Sequence, residues 1–233
     1  MDITLFIPTL NEREGMQQIM PNVNKNLFKQ ILIVDGGSTD GTIDYAKQMG
    51  YDVYLQKRKG IRHAYIEAFP LVRGDVVVTF SPDGNSVPED LPKLIDKVKE
   101  GYDMVIASRY YNGAKSHDDT VVTSFGNWIF TKSINLLHGG CYTDAMVIYR
   151  AYKKELFYRL ALDREESYWQ EKLFFTVIGC EPLLSIRAAK RKLKIAEISS
   201  DEPQRVGGER KLQVIRWGGA YFSQIILEAF NRK

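Results

Sequence analysis

Three polar segments of the chain carry residue types that handle phosphate and cations. Val34-Asp35-Gly36-Gly37-Ser38-Thr39-Asp40-Gly41-Thr42 places glycines, hydroxyls and carboxylates between an apolar run and a helical one. Glycine lets the backbone approach a ligand closely, and a helix N-terminus favours negative charge on it. Asp35 can accept hydrogen bonds from a base or a ribose. Ser81-Pro82-Asp83-Gly84-Asn85 sets a carboxylate among oxygen donors on a turn. Such a set can hold Mg2+ or Mn2+ beside a diphosphate. Arg205-Val206-Gly207-Gly208-Glu209-Arg210-Lys211 sets two glycines between cations, as suits a loop that clamps phosphates. Taken singly, each also reads as plain structure: a capped tight turn, an Asp-Gly turn and a solvated charged loop. Taken together, in this order, they are more specific.

The elements that must position them follow from hydrophobic pattern. Ile3 to Ile7 is a buried strand stopped by Pro8, and Ile31 to Val34 is a second. Ser38 or Asp40 caps a helix that runs through Met49. Asp52 to Gln56, Asp75 to Phe80 and Asp103 to Ala107 are three more strands, with helices at Ile61 to Val72 and Pro88 to Lys99 between them. Strand-then-helix repetition predicts an α/β fold, a mostly parallel sheet with helices on both faces. Ligands bind such sheets at the carboxyl ends of the strands, where the polar segments fall. Later the alternation weakens. Asn112 to Thr120 is a polar loop with paired aspartates, Ser124 to Leu137 an amphipathic helix, Tyr152 to Leu160 another helix, and Leu193 to Ile198 a late strand. Leu212 to Phe230 is helical, with Trp217, Tyr221, Phe222, Ile225, Ile226 and Phe230 available for one broad apolar face. It packs on the rest of the chain or meets a membrane surface or partner.

Composition narrows the class. With 233 residues, 44% hydrophobic and 26% charged, the chain is globular, which excludes disorder, collagen-like repeats and small disulfide scaffolds. A formal charge of +3 is too mild to point to nucleic acid. Cys141 and Cys180 match no metal spacing, so reduced thiols in a cytosolic protein are expected. No signal peptide and no spanning helix are expected. One unit is expected, residues 1–211, with 212–233 as its C-terminal amphipathic helix.

The motifs together resemble the family 2 glycosyltransferases of GT-A (Rossmann-like) fold, and among them the dolichyl- or polyprenyl-phosphate hexose synthases. The likeness runs from Ile7-Pro8-Thr9-Leu10-Asn11-Glu12 through Lys59-Gly60, Ser108-Arg109-Tyr110 and Thr143-Asp144 to Gly208-Glu209-Arg210-Lys211. It implies a nucleoside-diphosphate sugar donor, a polyprenyl-phosphate acceptor and a divalent metal, Mg2+ or Mn2+. Pro8, Leu10, Glu12 and Asp35 would line the nucleoside pocket. Asp83 would be the main metal ligand, with Asn85 beside it. Arg109 would contact the acceptor or the diphosphate, Asp144 would lie on the acceptor side, and Arg205 and Lys211 would hold phosphate. Two departures stand out. Ser81 replaces the family's first acidic metal residue, and Val121-Val122-Thr123 stands where many synthases carry an arginine, with Lys115 or Lys132 as substitutes at hand. The implied reaction is inverting hexose transfer, in the cytoplasm or at the cytoplasmic face of a membrane. The alternatives are transfer to a hydroxyl, with Asp144 taking its proton, and nucleotide-sugar binding without turnover or with a membrane partner.

Overall fold

The computed structural model describes residues 1–206 and 214–231. Its frame is a seven-stranded sheet of β1 (Ile3–Thr9), β2 (Gln30–Asp35), β3 (Asp52–Leu55), β4 (Val76–Thr79), β5 (Met104–Ser108), β6 (Arg150–Lys153) and β7 (Ile195–Ser199), in the order β3-β2-β1-β4-β6-β5-β7. β6 runs antiparallel to both neighbours, and the other pairs are parallel. Strands β1, β2, β4 and β5 read as largely apolar runs because both of their faces are buried. Leu5 and Ile7 enter one core with Ile33, Val78 and Val105, while Phe6 enters the other with Leu32, Val77 and Ile106. The first core is closed by α1 (Arg13–Ile19), α2 (Thr42–Gln48) and α4 (Leu91–Lys99). The second is closed by α3 (Ile61–Ala68), α5 (Val121–His138), α6 (Glu155–Arg159), α7 (Gln170–Phe174), α8 (Glu181–Lys190) and α9 (Val214–Phe230).

Several boundaries differ from the sequence expectation, each for a physical reason. Pro8 does not stop β1. Phe6 faces β4 through its carbonyl and Thr9 faces β2, so Pro8 faces the β4 side, past the last paired position there, Phe6↔Thr79. Its missing N–H therefore costs no ladder bond. The expected helix from Tyr152 is instead β6 followed by the short α6. The edges of β4 and β5 offer Arg150–Lys153 a ladder on both sides, which overrides local helix preference. Neither Ser38 nor Asp40 is the N-cap of α2. That position is Gly41, in the left-handed region at φ 90°, and Asp40 reaches past it to accept from the Thr42 N–H. Helix α5 begins three residues earlier than expected, because Thr120 and Thr123 form a reciprocal capping box.

Helix α9 packs beside α5, α7 and α8. Ala220 and Ile225 are buried, Trp217 and Tyr221 partly so, while Phe222 and Phe230 face outward. Cys141 is exposed and Cys180 buried, and burial pushes the Cys180 thiol well up. Among the described residues, no helix is long and apolar enough to cross a membrane.

Candidate active site

A cavity of about 350 Å3 opens where the carboxyl ends of β4, β5 and β7 meet the head of α8 and the start of α9. The turn after β4 supplies Ser81, Asp83 and Asn85, and the exit of β5 supplies Arg109. Glu202 and Arg205 come from the segment after β7, Glu181 from α8, and Trp217 and Tyr221 from α9.

Asp83 is the centre of this arrangement. Its Oδ2 lies 2.7 Å from Arg205 Nη1, and its Oδ1 accepts from the Asn85 N–H at 3.1 Å. Its carbonyl accepts from the Val206 N–H at 2.7 Å, and Asn85 Nδ2 donates to the Pro203 carbonyl at 2.9 Å. Residues Pro203 to Val206 thus form a strap across the turn. Gly84 permits this contact. It has φ +95°, and a Cβ there would stand 2.7 Å from Val206 Cγ2. Lys211 lies outside the described residues.

Arg109 lies in a ring of carboxylates. It grips Asp144 in bidentate fashion, Nε to Oδ2 at 2.6 Å and Nη2 to Oδ1 at 3.2 Å. Its Nη1 reaches Glu202 at 3.2 Å and Asp119 at 3.5 Å. Burial would lower the pKa of this guanidinium, but the carboxylates, Asp144 first, outweigh burial and hold it well above its ordinary value. Burial pushes the Glu202 carboxyl up, against the pull of Arg109. Asp144 is fully buried and does not line the cavity, so it positions Arg109 instead of facing a ligand.

The residues expected around the nucleoside sit at the ends of β1 and β2, outside the lining of this cavity. Asp35 is fully buried with four donors on its carboxylate: the N–H groups of Gly37 and Ser38 and the hydroxyls of Thr9 and Ser38. It therefore shapes the turn that carries the glycines. Leu10 is exposed beside Gly36, and Pro8 is half-buried in β1. Glu12 is buried, its N–H donating to Thr42 Oγ1 at 3.0 Å. This edge adjoins Asp83 through α1. A Cβ on Gly15 would lie 2.5 Å from the Pro82 carbonyl oxygen, so only glycine lets the helix approach that turn.

Asp119 and Glu202 are site acids that sequence pattern did not single out as ligand or partner groups. Asp119 and Glu202 surround Arg109, and Glu181 accepts from the buried Tyr65 hydroxyl at 2.6 Å while lining the cavity. Glu202 lies three residues past the end of β7, which is the signal that could have marked it.

A second cavity of about 400 Å3 continues from the first, sharing Arg109, Met146, Trp217 and Tyr221. It runs between α5 and α9, and Val122, Phe125, Phe130 and Gly218 make it largely apolar.

Residues 4–161 match glycosyl transferase family 2. Glycosyltransferase AglJ of Haloferax volcanii is 28% identical over 229 residues, covering 97% of this chain and 72% of that protein. A dolichol-phosphate mannosyltransferase of Pyrococcus furiosus is 29% identical over 223 residues, covering 91% of this chain and 60% of that protein. The crystal structure of glucosyl-3-phosphoglycerate synthase from Mycobacterium tuberculosis, in complex with Mn2+, uridine diphosphate and phosphoglyceric acid, superposes with TM-score 0.72 at 19% identity, covering 100% of this chain and 80% of that one. The sheet with its reversed β6 is thus the GT-A fold. The family match covers more than half of the chain and includes the Asp83 turn and Arg109, and the chain belongs to glycosyl transferase family 2.

Proposed function

We propose that this glycosyltransferase moves a hexose from a nucleoside-diphosphate sugar to a polyprenyl phosphate, inverting the anomeric carbon. The observation that carries this reading is the continuity of the charged cavity with the apolar groove through Arg109, Met146, Trp217 and Tyr221. A molecule with an anionic head and a long apolar tail fits that pair of spaces. The likeness to a dolichol-phosphate mannosyltransferase supports the same acceptor class. Val121, Phe125 and Trp128 stand exposed on α5 beside the groove and suit a membrane surface as the place where acceptor is met.

In this reading an acceptor phosphate oxygen attacks the anomeric carbon. The bond from that carbon to the donor diphosphate breaks, and the nucleoside diphosphate leaves with the electron pair. The acceptor phosphate already carries roughly −1.5 to −2 charge, so no base is needed. That agrees with Asp144 being tied to Arg109. Arg205 holds the diphosphate in this reading, and Lys211 assists it. Pro8, Leu10, Glu12 and the Asp35 turn take the nucleoside.

Asp83 fits a hard divalent cation, with the Ser81 hydroxyl and the Asn85 amide oxygen on the same turn. Among the described residues no cluster of three or more acidic, histidine or cysteine side chains forms a complete metal cage. One carboxylate completed by substrate phosphates and water is, however, a usual set for Mg2+. When bound, the ion would offset charge on the departing diphosphate.

The test is radiolabelled sugar transfer from a panel of nucleotide sugars to a polyprenyl phosphate and to sugar hydroxyls. Lipid-phosphate product that disappears in Asp83→Ala is expected. Transfer to hydroxyls alone overturns the acceptor, and full activity of Asp83→Ala overturns the role of Asp83.

A further inference from the structure

Away from the reaction site, a cavity of about 560 Å3 opens between α6, the start of α7, the end of α8 and the last turns of α9. It shares no lining residue with the catalytic cavity or the groove. Trp217 at the groove and Leu227 at this cavity are separated by about 15 Å of helical rise along α9. Four arginines, Arg159, Arg164, Arg187 and Arg191, line it against Glu166 and Glu228.

The arginines are not equivalent. Arg187 is committed to structure. It holds Glu228 at 2.6 Å, and its Nη1 donates to the carbonyls of Leu160 and Ala161 and to Ser167 Oγ. Lys190 neutralises Glu228 further, and Arg159 holds Glu155 at 2.7 Å. Arg164 and Arg191 are exposed, and their guanidinium groups have no hydrogen bond or ion pair among the described residues. Elsewhere Arg58, Arg62, Arg109 and Arg205 each hold a carboxylate. Two guanidinium groups with no partner among the described residues thus line one cavity, with Glu166 as the exposed carboxylate of that lining. Tyr158 and Trp169, 45% and 47% exposed, and Leu227 add aromatic and aliphatic surface to the same lining. The volume is that of a small-molecule pocket.

We propose that this cavity binds a phosphate ester. Arg164 and Arg191 take the phosphate, and Tyr158, Trp169 and Leu227 cover the carbon-bearing part of the ester. The two guanidinium groups come from different elements, one before α7 and one capping α8. Arginine is the side chain that pairs with phosphate oxygens through two parallel N–H donors, and two arginines on one lining offer a phosphate several such donors. The same chemistry is offered by a soluble glycerol or sugar phosphate and by a phospholipid headgroup.

The experiment uses the full chain in two arms. One is calorimetric titration with glycerol 3-phosphate. The other is flotation with phosphatidylcholine vesicles with and without phosphatidylglycerol. Each is run on the wild type, on the pair variant Arg164→Gln/Arg191→Gln, and on a charge-matched control, Lys47→Gln/Lys99→Gln, on α2 and α4. Binding of at least one probe, weakened about tenfold or more in the pair variant and unchanged in the control, is expected. A response confined to the first arm assigns a soluble ester, and one confined to phosphatidylglycerol vesicles assigns a headgroup. A wild type that takes neither probe, or a pair variant that binds as tightly as wild type in both arms, overturns the proposal.

Discussion

Arg205 and Asp83 are bound to one another at 2.7 Å, so the strap places a cation on the same carboxylate that a divalent ion would use. The two positive charges therefore compete for Asp83. In Arg205→Ala, Mn2+ measured by electron paramagnetic resonance without nucleotide should bind about tenfold more tightly than in wild type. Transfer should nonetheless fall by about 100-fold, because a preorganised cation near the departing charge is lost. Equal Mn2+ affinity in the two proteins would count against the competition.

Glu202 gives the fold a pH dependence of known sign. Its carboxyl is raised, chiefly by burial, above the ordinary value of 4.5. A carboxyl that ionises less readily in the folded state binds more protons there than in the unfolded chain. Stability then declines as pH rises from the ordinary value through the raised one. Glu202→Gln removes this contribution, so the variant should gain on wild type across that window. Urea midpoints taken from pH 4 to pH 8 will show a changing gap; a constant gap would contradict the shift.

The capping box of α5 should be worth a typical cap. Thr120→Ala deletes the hydroxyl that accepts from the Thr123 N–H at 3.3 Å. A loss of about 1 kcal/mol is expected, seen calorimetrically as a fall in Tm of roughly 2–4 °C for a chain of this size. Thr120→Ser should retain most of the stability, which separates loss of the cap from loss of side-chain packing.

Tyr65 fixes one oxygen of Glu181 in the cavity wall, hydroxyl to Oε1 at 2.6 Å. Tyr65→Phe keeps the ring stacked on Phe6 but leaves that oxygen without its donor. Unfolding free energy should drop by about 1–3 kcal/mol. Donor KM should change as well, since Glu181 lines the candidate cavity. A variant identical to wild type in both measurements would show the bond to be idle.

Local pattern reveals the sheet where each strand carries its own signal. Val76-Val77-Val78 and Ile31 to Val34 are apolar on both faces and read as strands without help. Arg150-Ala151-Tyr152-Lys153 has no such signal and is a strand only because β4 and β5 flank it. The site divides the same way. Asp83, Asn85, Arg109 and Arg205 were visible as motif residues and do line one cavity. Glu202 was not, because Arg109 meets it only across 93 positions, whereas Asp144, 35 positions away, already stood in the Thr143-Asp144 motif. Asp35 too was visible as a motif residue. Its turn reads as a ligand loop, yet the carboxylate itself is consumed in building the turn.

Strands β5 and β6 are antiparallel neighbours, paired from Met104↔Tyr152 to Ile106↔Arg150, and a tight hairpin could have joined them. Instead the chain leaves at Ser108, forms the aspartate loop and α5, and returns at Arg150. That excursion carries the groove wall, Arg109 and Asp144, while Asp83 and the Asp35 turn belong to the sheet proper. No residue between Tyr110 and Thr143 takes part in the β5–β6 pairing. The ladder and the groove wall therefore come from separate stretches of chain, and side chains of α5 that face the groove can change without altering a strand register.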